Sequence, residues 1–512
     1  MEKNMKSKYI HIIMLVAPLV LMATACADKL DEPALNQRLA TETDYTKTEN
    51  MILPLIGAYA EFYNRGWEDF PLIAVRGDDV NAGGLGDQQA FFDTDNYKYD
   101  KDYWMYNSVW QNLLKDIIIM ESTMEQVERY KEFASNTALA DQYIAEAKTM
   151  RAFLLFQWSR VWGSLVVPTS SNLEEMFAQP ISTKEEIMQQ ISEEMDAAIP
   201  MLPTVHPNER TDIVGGITRY TALAVKALAN LELNKYQEVA EATGEIISSG
   251  KFALKADYYE LFKIPGKLDR ENVLEFQYSD LGQGSGTNFA YLFAFFGPEN
   301  WTPKVNGAGS GWGFYEPSMK WIKFMLKRGE SSRLETSVLF TNRGISKIKE
   351  DPAFAALPAF VKNTTPSGDQ INDFNRAMFS SGKHYLPSDQ LTAGRTDYGT
   401  NKNFICIRYA EILLMHAEAL TNGGTSPAMT ADAAVNLVRT RANLAPLSGV
   451  TKDQVMDEKY AELAMEWGTR YYDMIRLGRY DDLSYDGRTF TESKKYLPYP
   501  QNQVDRLPAL KQ

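Results

Sequence analysis

Two segments of the sequence combine aromatic and polar side chains among glycines and asparagines, a composition typical of loops that carry binding sites. Aromatic rings offer flat platforms for stacking, and Asp, Asn and Arg at their edges can hydrogen-bond hydroxyl groups. Carbohydrate rings, with flat C–H faces and a rim of hydroxyls, fit this chemistry. The candidate ligand contacts are Trp67, Arg76, Asp78, Asp79, Asn81 and Trp104 in residues 65–104, and Asn300, Trp301, Trp312 and Tyr315 in residues 289–315.

Residues for covalent chemistry are sparse. Asp78 and Asp79 form the one conspicuous carboxylate pair, and a glycoside hydrolase needs two carboxylates about 5–10 Å apart in a cleft. Adjacent loop residues seldom face one substrate, so we expect no catalysis and keep a hydrolase as an alternative. The histidines outside the N-terminal segment lack metal-binding spacing. We therefore expect no catalytic site, no metal centre and no cofactor, and leave a structural cation open.

The N-terminal residues are arranged as a secretion signal that ends at Cys26. Three lysines among the first eight residues are followed by an apolar run at 10–21, and the small Ala23 and Ala25 precede the cysteine. The run is shorter than the ~20 residues of a membrane-spanning helix. This layout resembles a bacterial lipoprotein signal. It implies a signal peptide over 1–25, acylation of Cys26 and a leader over 26–42, with an ordinary secretory signal as the alternative.

The acylated leader predicts where the protein works. Each buried methylene of an acyl chain contributes about 0.8 kcal/mol to membrane binding, so several chains on one cysteine would hold a large domain at a membrane. The acidic residues Asp28, Asp31 and Glu32 directly follow. They resemble a surface-export signal of some Gram-negative lineages. We therefore expect a lipid-anchored membrane protein that faces the cell exterior.

The composition excludes several classes of partner. The chain has 512 residues and a formal net charge of −14, so nucleic acid is a poor partner because phosphate would be repelled. Negative charge also disfavours electrostatic docking to a membrane, which leaves the lipid as the anchor. Of the two cysteines, Cys406 lies in an apolar run and is expected to act as a small buried hydrophobe.

Hydrophobic periodicity predicts helices in both halves of the chain. Small residues within 213–233 suggest a tetratricopeptide-type pair with 235–249, with a generic helix pair as the alternative. Residues 65–100 are predicted to form an exposed loop. Short strands are expected near 273–278 and 338–341. The predicted helices cover 43–64, 101–131, 137–162, 183–199, 213–233, 235–249, 403–421, 430–442 and 452–478.

Residues 251–402 lose helical periodicity and are rich in Gly, Pro, Ser and aromatic residues. We therefore predict a mostly α-helical fold with a large irregular, loop-rich insertion and a few short strands. Residues 43–512 would form one domain. Its helical scaffold would span 43–250 and 403–478, and the region 251–402 would face the ligand.

Several segments resemble, in order, the SusD/RagB family of outer-membrane nutrient-binding lipoproteins. Residues 407–420 read IRYAEILLMHAEAL, close to the family's RYAEILLMYAEAL helix. Residues 435–442 read VNLVRTRA, similar to LNxVRxRA, and 462–476 resemble ELAxEGxRxxDLIR. The aromatic helix start at 103–112 and the AxxxRA helix at 145–153 also match. The charged residues of these motifs are expected to join helices rather than to catalyse.

This resemblance implies a role and its partners. It suggests a SusD-like fold and a surface lipoprotein that binds oligosaccharides and passes them to a SusC-like TonB-dependent transporter. The family also includes peptide binders, so a peptide ligand is the first alternative. A protein scaffold built on helical repeats is a further one.

Overall fold

The computed structural model describes residues 43–65, 69, 72, 75–282, 292–393 and 400–511. Within these residues the fold is mostly helical, as predicted. The helices, in chain order, are α1 (Ile52–Tyr63), α2 (Gln89–Asp95), α3 (Trp104–Lys131), α4 (Ala138–Trp162), α5 (Leu173–Phe177), α6 (Lys184–Ala198), α7 (Arg219–Glu232), α8 (Tyr236–Ser248), α9 (Tyr258–Leu261), α10 (Leu292–Phe296), α11 (Met319–Arg328), α12 (Ser332–Ser337), α13 (Asn342–Lys349), α14 (Tyr409–Thr421), α15 (Ala431–Arg441), α16 (Lys452–Leu463), α17 (Thr469–Arg476) and α18 (Gln501–Arg506).

Local sequence signals set several helix ends. The hydroxyl of Thr183 accepts a hydrogen bond from the N–H of Glu186, and the Glu186 carboxylate accepts one from the N–H of Thr183. This capping box starts α6 by satisfying two backbone donors that a helix leaves free. Helix α4 ends before Gly163, whose φ of 80° is not helical; glycine adopts such a positive φ readily because it has no Cβ.

The helices pack in a continuous series. The two longest, α3 and α4, lie against each other, and α1 packs on α3. The series continues through α6, α7 and α8 to α14, which also packs against α15 and α16. Because α8 contacts α14, the C-terminal helices extend the layer begun by the N-terminal ones. Residues 249–403 therefore connect two parts of one helical scaffold.

The strands are short and form antiparallel pairs. Their pairing joins segments far apart in sequence, as where residues 272–276 align with 404–408. This pair ties the loop-rich region to the start of α14. The pairs are β1 (Val80–Ala82) with β6 (Tyr315–Pro317), β2 (Leu165–Val166) with β3 (Ile181–Ser182), β4 (Asn272–Phe276) with β10 (Phe404–Arg408), β5 (Trp301–Thr302) with β8 (Gln370–Ile371), and β7 (Val338–Phe340) with β9 (Phe379–Ser381).

Three sequence predictions of local structure were wrong. The segment 403–421 begins with strand β10 rather than helix. The segment 452–478 is two helices, because Met465, Trp467 and Gly468 adopt positive φ angles of 65°, 42° and 68° between them. The segment 65–100 is not one exposed loop, since it contains β1 and α2 and much of it is buried.

Buried ion pairs join the charged motifs of the C-terminal helices to the loop-rich region. Arg408 is almost fully buried, and its guanidinium contacts the carboxylates of Glu271 at 2.9 Å, Glu462 at 2.5 Å and Glu466 at 2.8 Å. Burial alone would raise the pKa of Glu462, but Arg441 and Arg408 hold it well below its usual range. These charges are stable inside the protein because each has partners.

Candidate functional site

Four aromatic residues form a connected layer that we call the aromatic platform: Phe91, Trp104, Phe295 and Trp312. Phe91 is the centre, with its ring centroid 6.3 Å from Trp104 and 5.7 Å from Phe295. Phe295 in turn lies 5.0 Å from Trp312. All three contacts are edge-to-face, the geometry that the aromatic quadrupole favours. The two phenylalanines are fully buried, and each contacts one of the two tryptophans.

Both tryptophans reach the surface. Trp104 is the first residue of α3 and is 52% exposed, a high value for a tryptophan. Trp312 is partly exposed and lies in the segment 311–314, which is hydrogen-bonded to 294–298. The N–H of Phe314 donates to the carbonyl of Phe295 at 2.9 Å. Backbone pairing therefore fixes the ring of Trp312 beside Phe295 before any ligand arrives.

Charged residues border the platform on the Trp312 side. The guanidinium of Arg376 donates to both oxygens of Asp87 at 2.6 and 2.7 Å. Its Nε lies 3.8 Å from the carboxylate of Glu299, and its Cζ lies 5.7 Å from the centroid of the Phe314 ring. The hydrogen bonds from Arg376 lower the pKa of the Asp87 carboxyl below its usual value. These residues form a polar rim beside an aromatic surface.

Two glycines allow the segments of the site to approach closely. A Cβ on Gly83 would lie 2.5 Å from the carbonyl oxygen of Arg376, and the Gly83 N–H donates to the carbonyl of Phe314 at 2.6 Å. Gly313 has a φ of 58°, and a Cβ there would lie 2.6 Å from the ring of Phe374. A side chain at either position would separate the rim from the platform.

Asn300 directly follows Glu299 in the chain and is exposed. Its Nδ2 donates to the carbonyl of Asp373 at 2.9 Å, and its own carbonyl accepts from the N–H of Asn372 at 3.0 Å. Trp104, Asn300 and Trp312 are thus the predicted contacts that lie at or near the surface around this layer. Packing between helices alone would not account for the exposure of Trp104.

Other predicted contacts lie inside the protein. Arg76 is fully buried, and its guanidinium lies 4.4 Å from the ring centroid of Tyr471. Asp78 is fully buried and binds Arg470 at 2.7 Å and Lys320 at 2.6 Å. These contacts give Arg76 and Asp78 a structural role inside the protein.

Asp79 is buried next to this ion pair. Its Oδ2 accepts a hydrogen bond from the N–H of Met465 at 2.7 Å. Burial raises the pKa of Asp79 to about 6, against the opposing effect of that hydrogen bond. The carboxylates of Asp78 and Asp79 therefore do not line a cleft together.

Of the remaining predicted contacts, Trp301 and Tyr315 are buried, and Asn81 is engaged in a hydrogen bond within the protein. Trp301 is buried in a small core with Tyr385, whose ring centroid is 5.8 Å away. Tyr315 is fully buried against Phe295. Asn81 is partly buried and accepts a hydrogen bond from the hydroxyl of Tyr485 at 2.8 Å. Trp67 and Cys26 lie outside the described residues.

Sequence reasoning missed Phe91, Asp87, Glu299 and Arg376. A glycine-rich run before Asp87 was a signal for close backbone approach. Arg376 carried no comparable signal, since its partner Asp87 is 289 residues away in the chain. Only the folded chain brings it to the platform.

Among the residues that the structure describes, no group of three or more His, Cys, Asp or Glu side chains is arranged to hold a metal ion. Over the same residues, every helix is too short or too polar to span a bilayer.

Two family models match the chain. The model of the SusD family matches residues 270–512. A second, SusD-like model, described as "Starch-binding associating with outer membrane", matches residues 55–230. The two matches do not overlap and together cover most of the sequence, including both sides of the aromatic platform.

Two SusD-like proteins are similar to this chain over most of its length. A SusD-like protein of Bacteroides ovatus is 24% identical over 502 residues, covering 93% of this chain and 83% of its own. SusD-like protein P2 of Formosa agariphila is 23% identical, covering 92% and 91%.

Solved structures with the same fold include surface glycan-binding protein A from Bacteroides thetaiotaomicron, with a TM-score of 0.74, 20% identity and coverage of 91% of this chain and 98% of that one. A laminarin-binding SusD-like protein has a TM-score of 0.72 at 20% identity, covering 89% and 97%. With the predicted motifs, the family models and the fold in agreement, the chain belongs to the SusD/RagB family.

Proposed function

We propose that the protein binds oligosaccharides on the aromatic platform. The observation that carries this proposal is the pair of surface tryptophans, Trp104 and Trp312, held on the buried rings of Phe91 and Phe295. Rings fixed before binding lose little conformational freedom when a sugar stacks on them. Polar groups at the rim can hydrogen-bond the hydroxyls of the same sugar. The names of two structural relatives, laminarin-binding and surface glycan-binding, support a glycan ligand.

The protein would act without catalysis and deliver its ligand. In this proposal Cys26 is acylated after removal of residues 1–25, so the protein is anchored in the outer membrane and faces the exterior. It passes oligosaccharides to a SusC-like TonB-dependent transporter. The description of the matching family model, which includes association with the outer membrane, supports this location.

The hydrolase alternative depended on Asp78 and Asp79. Asp78 is held by Arg470 and Lys320, and Asp79 by the backbone N–H of Met465. Carboxylates that are buried and engaged in this way are poor candidates for attack on a glycosidic bond, which requires access to substrate. This supports a binding protein over a hydrolase.

Isothermal titration of the purified protein against panels of oligosaccharides and peptides tests the ligand class. We expect binding to at least one oligosaccharide and a loss of at least about tenfold in affinity for Trp104→Ala and Trp312→Ala, since truncating a tryptophan that anchors a binding surface costs about 2 kcal/mol or more. Phe133→Ala is the matched control, because Phe133 is an exposed aromatic residue on α3's C-terminal side, outside the platform.

Three outcomes would contradict this proposal. Binding of peptides alone would replace the carbohydrate ligand with a peptide one. Hydrolysis of a bound glycan would contradict the absence of catalysis. Recovery of a soluble partner but no transporter, when the tagged protein is isolated from envelopes, would contradict the delivery role.

A further inference from the structure

The charges that border the aromatic platform differ in exposure. The side chains of Asp87 and Glu299 are 49% and 40% exposed, whereas that of Arg376, which lies between them, is only 13% exposed. The guanidinium is therefore covered by its carboxylate partners and by the ring of Phe314. In the part of the chain that the structure describes, the charge that this rim presents to solvent is negative.

We infer that the platform selects neutral oligosaccharides and rejects those that carry carboxylate or sulfate groups, an inference that rests on the proposed function. Asp87 and Glu299 are the specificity-determining residues. An anionic group on a sugar stacked at Trp312 would meet two exposed carboxylates and lose its hydration without gaining a cation. Neutral hydroxyls can donate hydrogen bonds to the same carboxylates.

The position of Glu299 links the rim to the stacking surface. A Cβ on Gly313, the residue after Trp312, would lie 3.1 Å from the Cβ of Glu299. The side chain of Glu299 therefore starts beside the backbone segment that carries Trp312. Asp87 is held near the platform by its hydrogen bond with Arg376, whose guanidinium lies over the ring of Phe314.

Arg376 supplies the positive charge of this rim, and it is already engaged. Two of its nitrogens donate to Asp87 in a fork geometry, the strongest arrangement for this pair. An incoming carboxylate would have to displace Asp87 to reach the guanidinium. The depressed pKa of Asp87 keeps that competitor ionised at neutral pH and below.

A third acidic residue lies near the Trp104 side. Asp93, on α2, accepts hydrogen bonds from the hydroxyl of Tyr103 at 2.7 Å and from the amide of Gln89 at 2.8 Å. Neither donor carries a positive charge, so the carboxylate is not neutralised by them. Both ends of the platform therefore lie close to acidic groups.

The experiment compares two oligosaccharides of equal length and linkage, one neutral and one with uronic acid units, by isothermal titration at low and high salt. We expect the wild-type protein to bind the neutral sugar at least about tenfold more tightly. The affinity for the uronic sugar should rise with salt, because salt screens repulsion between exposed charges.

Substitutions at the rim give the sharper test. Asp87→Asn frees the guanidinium of Arg376 and should improve the affinity for the uronic sugar about fivefold relative to the neutral one, the effect of one exposed charge pair. Glu299→Gln should act in the same direction. Asp196→Asn is the matched control, since Asp196 forms an exposed pair with Lys226 on α6 and α7, away from the platform.

The outcomes separate this inference from the proposed function. Equal or tighter binding of the uronic sugar by the wild type would overturn the selectivity and leave carbohydrate binding intact. An unchanged affinity ratio in both Asp87→Asn and Glu299→Gln would overturn the assignment of these residues. Binding of neither sugar, in a panel where no other glycan binds, would overturn the proposed function and this inference with it.

Discussion

The carboxylate of Asp79 accepts a hydrogen bond from the backbone N–H of Met465, 386 residues further along the chain, at 2.7 Å. Met465 has a φ of 65°, a left-handed conformation that L-residues rarely adopt. Asp79 therefore helps to hold the break between α16 and α17, next to the ion pair of Asp78 with Arg470. A residue predicted to bind ligand instead joins the N-terminal and C-terminal parts of the scaffold.

Asp79 should make the stability of the protein depend on pH. Burial raises its folded-state pKa to about 6, above the unfolded value of about 3.9. The folded state then binds more protons than the unfolded state between these values, so this group's contribution falls as pH rises from about 4 to 6. The nearby charges, Asp78, Arg470 and Lys320, are retained in an Asp79→Asn variant.

We expect Asp79→Asn to gain stability relative to the wild type as pH rises through this window, by up to about 3 kcal/mol. The measurement is the free energy of unfolding in urea at pH 4.5, 5.5, 6.5 and 7.5. In Asp196→Asn, which alters an exposed carboxylate, the difference from the wild type should stay nearly flat. A constant difference in Asp79→Asn would show that Asp79 does not titrate as described.

The buried network around Arg408 should be far more sensitive than surface ion pairs. Arg408→Met leaves the carboxylates of Glu271, Glu462 and Glu466 short of a cation in the interior. Such a change costs about 3–5 kcal/mol. Lys347→Met is the control, because Lys347 and Glu350 form an exposed pair whose loss should change stability by less than about 1 kcal/mol.

Urea unfolding of the two variants gives both values. If Arg408→Met does not accumulate as folded protein, Glu271→Gln offers a milder test, since it removes one charge and keeps the side-chain shape. Equal effects of Arg408→Met and Lys347→Met would contradict a role for the network in holding the fold.

Much of the helical scaffold could be predicted from the sequence, because its signals are local. The predicted helix 137–162 is observed as Ala138–Trp162, ended by Gly163. The apolar run at 404–407 was ambiguous, since short apolar segments fit a strand or a buried helix equally well. It is a strand because it pairs with β4, a partner far away in sequence.

The candidate site was less predictable for the same reason. Glycines and polar residues around Arg76 and Asp78 suggested exposure, but distant partners such as Tyr471 and Arg470 allow these charges to be buried. Residue type revealed Trp104 and Trp312 as candidates. It could not reveal which tryptophans stay exposed, since burial depends on how the segments pack.

Gly83 should be required for both stability and ligand binding. A methyl group there would meet the carbonyl oxygen of Arg376 at 2.5 Å, which is closer than atoms can approach. We expect Gly83→Ala to cost about 1–3 kcal/mol and to weaken glycan binding, because the rim would move away from Phe314. Thermal unfolding and isothermal titration measure the two effects.

Gly57 provides the control for this glycine. It lies within α1, and a Cβ there would have no atom within 4 Å. Gly57→Ala should raise stability by up to about 1 kcal/mol, since alanine has the higher helix propensity, and should leave affinity unchanged. Unchanged stability and affinity in Gly83→Ala would contradict the close approach of these segments.

The lipid anchor can be tested with the two cysteines of the chain. Cells that express the protein are grown with a palmitate analogue, and the protein is isolated from envelope and soluble fractions. The wild type should be labelled and remain with the envelopes, because several acyl chains on one residue give lasting attachment. Cys26→Ala should lose both the label and the attachment.

The control variant, Cys406→Ala, should keep both. Cys406 is buried, and burial raises the pKa of its thiol well above its usual value, which disfavours the reactive thiolate. A labelled Cys26→Ala protein, or an unlabelled wild type that is recovered free of envelopes, would contradict the anchor.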